Sequence, residues 1–537
     1  MFKGIVSLFV PMFLLAGTQQ EEVKILRWSG PPGSKPGTFK EWNSAHPYST
    51  NFYCKLSQKI VGKQKGGKVA ILIDSTIADN IATEIGQLMT DLQSEGYTVS
   101  AYKIAGGTPQ NLRSFLQNLY ATDNIEGVLF VGDLPVAWFQ IGNDFEDYGG
   151  YGYAEWPIDL FYMDLNGNWL DTLRHEGDTL IPGQDSIYDA HSGTISPEIY
   201  IGRLTPQTGN SNAIGEIKNY FSKDHSYRQH TIELTHRALV YVDDDWEPSA
   251  HFWAEDVSIL YPDTLVVADP NTTRASDYRV RLDTIRAWVS VFAHSWPGGH
   301  IFDYNNHNDY DYYYSSEYVT QDPPANFYNH FACSYARYTE YEYGGGRAIF
   351  NQSYGVGAIG STKSGSMLEF SYFYQPLSQG KTIGTAFKEW FTYITADTVT
   401  SYELSWHYGM TLLGDPFLKP IGHIAVEETY KTPTTMFISQ NYPNPFTKST
   451  TIDIRLGKKS QQVKEPSSGL RSPSLIIYDL AGRVVKTWDL GIGNCDFHKV
   501  VWDGRDAYGN KLASGIYFVK LKIGERALSK KMYLLKD

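Results

Sequence analysis

At 537 residues the chain is too long for one hydrophobic core, and about 150 residues per domain predicts about three units. Apolar residues make up 42% and charged residues 20%, an ordinary globular balance that excludes wholesale disorder. A formal charge of −13 opposes phosphate backbones and anionic lipid surfaces, so no nucleic-acid partner is expected.

Residues 1–20, MFKGIVSLFVPMFLLAGTQQ, carry Lys3, an apolar run broken only by Ser7 and Pro11, and small residues around Ala16 and Gly17. This pattern predicts a secretory signal peptide, too short to span a bilayer comfortably, and Pro11 in mid-run argues against a buried helix. No other stretch approaches about 18 consecutive apolar residues, so no transmembrane segment is expected in the mature chain. Residues 21–66 read as an N-terminal lead-in or short prosegment, with GPPGSKPG at 30–37 and a basic KQKGGK stretch.

Residues 67–232 alternate between strand and helix patterns. KVAILID (68–74) is a buried strand, and Ile81, Ile85, Leu88 and Leu92 follow at helical spacing. YTVSAYKI, a helix opening at Thr108-Pro109 and GVLFVGD (127–133) repeat the alternation, which predicts parallel pairing. A second such unit, 233–420, runs through HRALVYVDDD, a helix around 250–259, TLVVAD and a helix around 275–287. WVSVFAHS, NFYNHFACS and AIFNQSYGVGAIGST complete its five strand candidates. After a linker at 421–436, residues 437–537 are short β-rich runs between Gly/Asp/Asn turns, as in an antiparallel sandwich. Within it the polar stretch 458–474 reads as a loop.

Two apolar runs end in reactive side chains, His294 and Cys333. As the third and fourth strands of one parallel unit they should be neighbours, which puts a thiol and an imidazole together at the carboxyl edge of a sheet. A cysteine nucleophile with a histidine base follows as the leading chemistry. Three cysteines, Cys54, Cys333 and Cys495, leave at least one thiol free and exclude a disulfide-dense scaffold. His300, downstream of the same strand, competes as the base or stands as a loop or substrate-contact residue. His330 lies three before Cys333 and points to the opposite face.

Asp133 ends a strand, where it orients the histidine, faces the substrate or caps the next turn. Asp164, Asn166, Asn168 and Asp171 in DLNGNWLD offer oxygen ligands for a structural calcium, or form a plain Asx-rich turn. No zinc pattern is present, and no cofactor is required by thiol chemistry. GGGR (344–347) precedes a strand instead of following one, so it is no phosphate cradle. The Tyr/Asn/Asp-rich stretch 303–318 reads as a loop that walls a groove or lies in solvent.

GVLFVGD, PIDLFY (157–162), PEIYIGRL (197–204), FAHS (292–295), FACS (331–334), GVGAIGST (355–362) and LLGDPFL (412–418) stand in an order that resembles the gingipain-type branch of the caspase-like cysteine peptidases. The resemblance implies two adjacent α/β/α subdomains with mostly parallel sheets, the second holding both catalytic residues. It implies that Cys333 attacks a peptide carbonyl to form a thioester, with His294 as base and the backbone N–H groups of Ser295 and Cys333 holding the oxyanion. Glycine is usual in the family where Ser295 stands. Asp159, in PIDLFY, falls where the family approaches its specificity pocket.

NYPNPF (441–446), YDLAGRVV (478–485) and WDGRDAYGNKLASGIYFVKL (502–521) resemble the type IX secretion sorting domain. The expectation is an exported endopeptidase acting on protein or peptide substrates, secreted or surface-attached. It would be carried through the periplasm of an outer-membrane bacterium by the type IX machinery. The alternatives are an inactive relative serving as a surface binding or assembly protein and, from the aromatic stretch alone, a sugar-binding surface protein.

Overall fold

The computed structural model describes residues 23–420 and 437–535, apart from 63–65, 146–150, 178, 207–211, 233–234, 305–308, 397–398, 439–440, 442–445, 456–472, 481, 491–496 and 524–525. The stretches read as signal peptide (1–20) and linker (421–436), most of the stretch 458–474 read as a loop, and Cys495 lie outside the described residues. Two compact units divide between His423 and Ile424.

The first unit is built on one eleven-stranded sheet. Its strands begin with β1 (Phe52–Ile60), β2 (Lys68–Asp74), β3 (Thr98–Gly106), β4 (Gly127–Val131) and β5 (Tyr200–Leu204). They continue with β6 (Arg237–Val242), β7 (Asp263–Val267) and β8 (Arg286–Phe292). Next come β9 (His294–Trp296), β10 (Gly299–Tyr304) and β11 (Asp309–Tyr314), which form a separate antiparallel sheet. The large sheet is completed by β12 (Ala325–Phe331), β13 (Gly357–Ser361) and β14 (Met410–Gly414).

Across the large sheet the order is β1-β3-β2-β4-β5-β14-β13-β12-β8-β6-β7. Only the β1–β3 and β13–β14 pairs are antiparallel. The two alternating stretches thus supply adjoining halves of a single sheet, joined where Arg203 of β5 meets Leu413 of β14.

Helices cover both faces, which is why the central strands read as unbroken apolar runs. Helix α1 (Phe39–Ala45) precedes the sheet, and α2 (Ala82–Ser94) buries Ile85, Leu88 and Leu92 on one side. Helix α3 (Pro109–Asp123) buries Leu112, Leu116 and Leu119 on the other, opened by a Thr108–Asn111 capping box with proline in its first turn. Along β8 the strand alternation sends Trp288 and Phe292 into one core and Val289 and Val291 into the other.

Two local expectations change. GGGR opens a helix, α4 (Gly344–Ile349), so Ala348 and Ile349 are helical and the strand begins only at Gly357. The bare α-carbons let neighbours close in: a Cβ at Gly344 would stand 1.9 Å from the Tyr335 ring. The described part of the Tyr-rich stretch is largely strand, β10 pairing antiparallel with β11, and its tyrosines alternate between a packed and an outer face: Tyr313 is buried and Tyr314 exposed.

The second unit holds two antiparallel sheets, with Thr450–Arg455 and Phe497–Trp502 in one and Ser474–Asp479, Val484–Asp489, Gly515–Ile523 and Arg526–Leu534 in the other. Ile452, Ile454, Leu475, Ile477, Trp502, Val519 and Leu521 make its core.

Candidate active site

Strands β8 and β12 are parallel neighbours with Phe292 opposite Phe331. His294 and Cys333 each follow two residues beyond that pair, at the same end of the sheet. The join is fastened by Ser295, whose Oγ donates to the Cys333 carbonyl at 2.8 Å. Ser295 lies outside the positive-φ region, so its Cβ is carried without left-handed strain.

His294 is buried, with both ring nitrogens engaged. Nε2 lies 2.7 Å from Asp245 Oδ2, while Nδ1 accepts the backbone N–H of Arg27 at 3.0 Å. An accepting Nδ1 puts the ring proton on Nε2, toward the carboxylate. Asp245 sits on a 3₁₀ turn just beyond β6, where Asp243 accepts its backbone N–H at 3.1 Å. Burial raises the Asp245 carboxyl, but hydrogen bonds from His294 and Lys24 outweigh it and hold it down at about 2. The Trp246 ring packs 4.7 Å from the imidazole.

Cys333 is completely buried, its Sγ 3.1 Å from Ser364 Oγ and 3.7 Å from Ser334 Oγ. Burial pushes the thiol up, opposed by those two hydroxyls and by the Lys363 charge. Lys363 closes a buried ion pair with Asp144 at 2.9 Å and also donates to the Ser405 carbonyl at 2.6 Å. Directly after the cysteine the chain turns sharply: Ser334 holds a φ of 56° and its N–H donates to the Lys363 carbonyl at 2.9 Å. Non-glycine residues in that conformation cluster at functional turns.

The N-terminal segment crosses this site. Trp28 forms a parallel bridge to Ser295, and Ser29 N–H donates to the Ser295 carbonyl at 3.0 Å. Lys24 pairs through Nζ with Asp245, its carbonyl accepts from Trp246 Nε1 at 2.8 Å, and the Leu26 carbonyl accepts from Tyr151 at 3.2 Å.

The model of peptidase family C25 matches residues 78–421, a span that contains His294 and Cys333. The chain belongs to peptidase family C25. A second model, the FlgD Ig-like domain, matches residues 449–525. Among solved structures the chain is similar to the Arg-specific cysteine proteinase gingipain R, at 12% identity and a TM-score of 0.46 over 88% of this chain and 99% of that one. It is similar to the complex of RgpB pro- and mature domains of Porphyromonas gingivalis at 12% identity and a TM-score of 0.44, over 87% of this chain and 100% of that one. Similarity to PorZ, a surface component of the type IX secretion system of the same organism, covers 25% of this chain and 14% of that one, at 19% identity and a TM-score of 0.13. No curated protein matches the chain.

Other sequence candidates in this C25 member fall elsewhere. Asp133 follows β4, four strands from β12, and at about 4.8 Å per strand it stands roughly 19 Å from the cysteine strand. It therefore does not orient His294; Asp245 takes that place. Asp159 cannot serve a substrate, because Arg203 Nε at 3.2 Å, Thr411 Oγ1 at 2.6 Å and Tyr338 OH at 3.1 Å already saturate its buried carboxylate. His300 is neither base nor substrate contact: it is wholly buried on β10, stacked 3.8 Å from Tyr335, and burial pushes it well below its ordinary range.

In the calcium candidate, Asp164 accepts from the Asn166 and Gly167 N–H groups at 3.2 and 2.8 Å and pairs with His191. Asp171 accepts from the Asp185 and Ser186 N–H groups at 3.2 and 2.9 Å, while Asn166 donates to Glu198 and Asn168 opens a short strand. These contacts describe a turn closed by its own partners.

Asp245, Lys363 and Ser364 are the site residues that sequence reasoning missed. The signal for Asp245 was there: it closes HRALVYVDDD, an apolar strand beside the histidine strand, with a carboxylate at the same sheet edge.

Proposed function

We propose that the chain is an exported cysteine endopeptidase in which Cys333 is the nucleophile and His294 the general base and acid. The observation that carries this reading is the imidazole itself, at the same end of the sheet as Cys333, held on Nε2 by Asp245 and accepting a peptide N–H at Nδ1. A ring in that pose can take the thiol proton and return it to a leaving amine.

The thiolate adds to the scissile carbonyl, and the backbone N–H groups of Ser295 and Cys333 hold the oxyanion. Expulsion of the amine leaves a thioester, which water, deprotonated by His294, hydrolyses to a carboxylate and the free thiol. Asp245 acts through the histidine as a positioning residue. The chemistry uses protein groups alone, and protein or peptide chains are its substrates.

The Ig-like match together with the NYPNPF and WDGRDAYGNKLASGIYFVKL motifs supports a type IX sorting role for the C-terminal unit. That role implies passage through the periplasm and release or attachment at the cell surface. The buried, upward-pushed thiol favours the second reading, an inactive surface binding or assembly protein, unless the groove opens.

Hydrolysis of a mixed peptide library, with and without an alkylating agent, decides between them. Activity should fall at least about 10²-fold in both Cys333→Ala and His294→Ala, because nucleophile and base fail as a unit. Hydrolysis that survives either change, or its absence from every form of the chain including those with the groove opened as below, removes the peptidase reading.

A further inference from the structure

The Leu26–Arg27 peptide bond lies against the candidate base. The Arg27 N–H, the group that would become the leaving amine, points at His294 Nδ1 from 3.0 Å. The Leu26 carbonyl is held by the Tyr151 hydroxyl at 3.2 Å. Leu26 is completely buried in the apolar cluster that includes Cys333, Trp246 and Phe331, whereas Arg27 is exposed.

The segment is bound as an added strand would be. Its bridge to Ser295 extends the β9–β10–β11 sheet, and backbone hydrogen bonds of this kind give affinity while alternate side chains give selectivity. Both ends are tied down: Lys24 through Asp245 and Trp246, and Gly37 through its N–H to Glu340 at 2.7 Å and its carbonyl to Arg337 at 2.7 Å.

We infer that Val23–Ser29 is an internal occupant of the substrate groove, and that the pocket holding Leu26 selects a branched aliphatic residue on the acyl side of the bond to be cut. This rests on the peptidase reading for its chemistry but not for its binding. The carboxylates that would serve a basic side chain are committed elsewhere. Asp144 is closed on Lys363, Asp159 on Arg203, and the Lys363 charge beside the thiol would repel arginine or lysine. Cleavage of the segment itself would balance as one water added: the thiolate takes the Leu26 carbonyl, the Arg27 amine leaves with the His294 proton, and water frees a Leu26 carboxylate.

The test uses the full chain carrying Leu26→Asp, since a carboxylate cannot stay buried in that pocket. Peptide mapping should show Cys333 alkylated by iodoacetamide at least about tenfold faster than in the unmodified chain, with Cys54 unchanged. Should Leu26→Asp fail to fold, Arg27→Pro removes the N–H given to His294 and should raise the rate in the same direction. Equal rates in all forms overturn the occupant.

A synthetic peptide of sequence EEVKILRWSGP should then slow alkylation of the opened chain, and the same peptide with arginine in place of its leucine should not. Equal protection by both, or stronger protection by the arginine peptide, overturns the selectivity. These two arms need no hydrolysis. If they succeed and no peptide is cut, the occupant and its pocket stand while the peptidase reading falls.

Discussion

A serine directly after a strand-end histidine adds a Cβ where glycine, usual in the family, would leave the backbone free. The structure turns it into a fastening, because the hydroxyl reaches the Cys333 carbonyl and the backbone needs no positive φ. Ser295→Ala should therefore destabilise the body by about 1–2 kcal/mol in urea titration, since a buried carbonyl loses its donor. Asp245 is the second residue with a separable role. Asp245→Asn should lower kcat by at least about tenfold with KM nearly unchanged, as expected for a group that orients the base without touching substrate. Its carboxyl is held at about 2, against roughly 3.9 in an unfolded chain, so its stabilisation is present above about pH 4 and lost as pH falls toward 2. The melting temperature of Asp245→Asn should lie below that of the unmodified chain at pH 6, and the gap should close as pH falls through that window. A gap that holds constant would show that the charge is not what was lost.

At the scale of elements, the strands β2, β4, β8 and β12 were legible because parallel strands covered on both faces are written as apolar runs. The adjacency of β8 and β12 was legible too. What periodicity could not give is pairing across long stretches of chain. Arg27 meets His294 at a separation of 267 residues, and no local pattern in 23–29 announces it. Helix α4 was hidden for a different reason: three glycines are poor helix formers, and what favours the helix is close packing against Tyr335, Leu413 and Tyr343. Gly344→Ala should cost about 1–3 kcal/mol, measured by denaturant titration, because the added methyl meets the Tyr335 ring that stacks on His300. In the Asp164 turn the carboxylates are already satisfied by backbone N–H groups and His191. Chelator should leave the melting curve unchanged, and a calcium-dependent rise in melting temperature would restore the ion to this turn.

For the whole molecule the decisive fact is that the two units have separate cores. The clusters on the two faces of the large sheet draw no residue from beyond Leu418, and the C-terminal cluster runs from Ile438 to Leu534. Composition alone suggested this break, because the alternating α/β pattern gives way to short β runs; the sharing of one sheet by two α/β halves was not readable, since it depends on the pairing of β5 with β14. Separate cores predict separate unfolding, so calorimetry of the full chain should resolve two transitions. Removing residues 437–537 should delete one transition and leave the other at its temperature. Peptide hydrolysis and the alkylation behaviour of Cys333 should also persist, because every residue of the site lies before the break. In a bacterium equipped with type IX secretion the same truncated chain should accumulate in the periplasm while the full chain reaches the surface. Surface delivery without the C-terminal unit would mean that its Ig-like sheets serve adhesion or assembly, and that the address is written elsewhere in the chain.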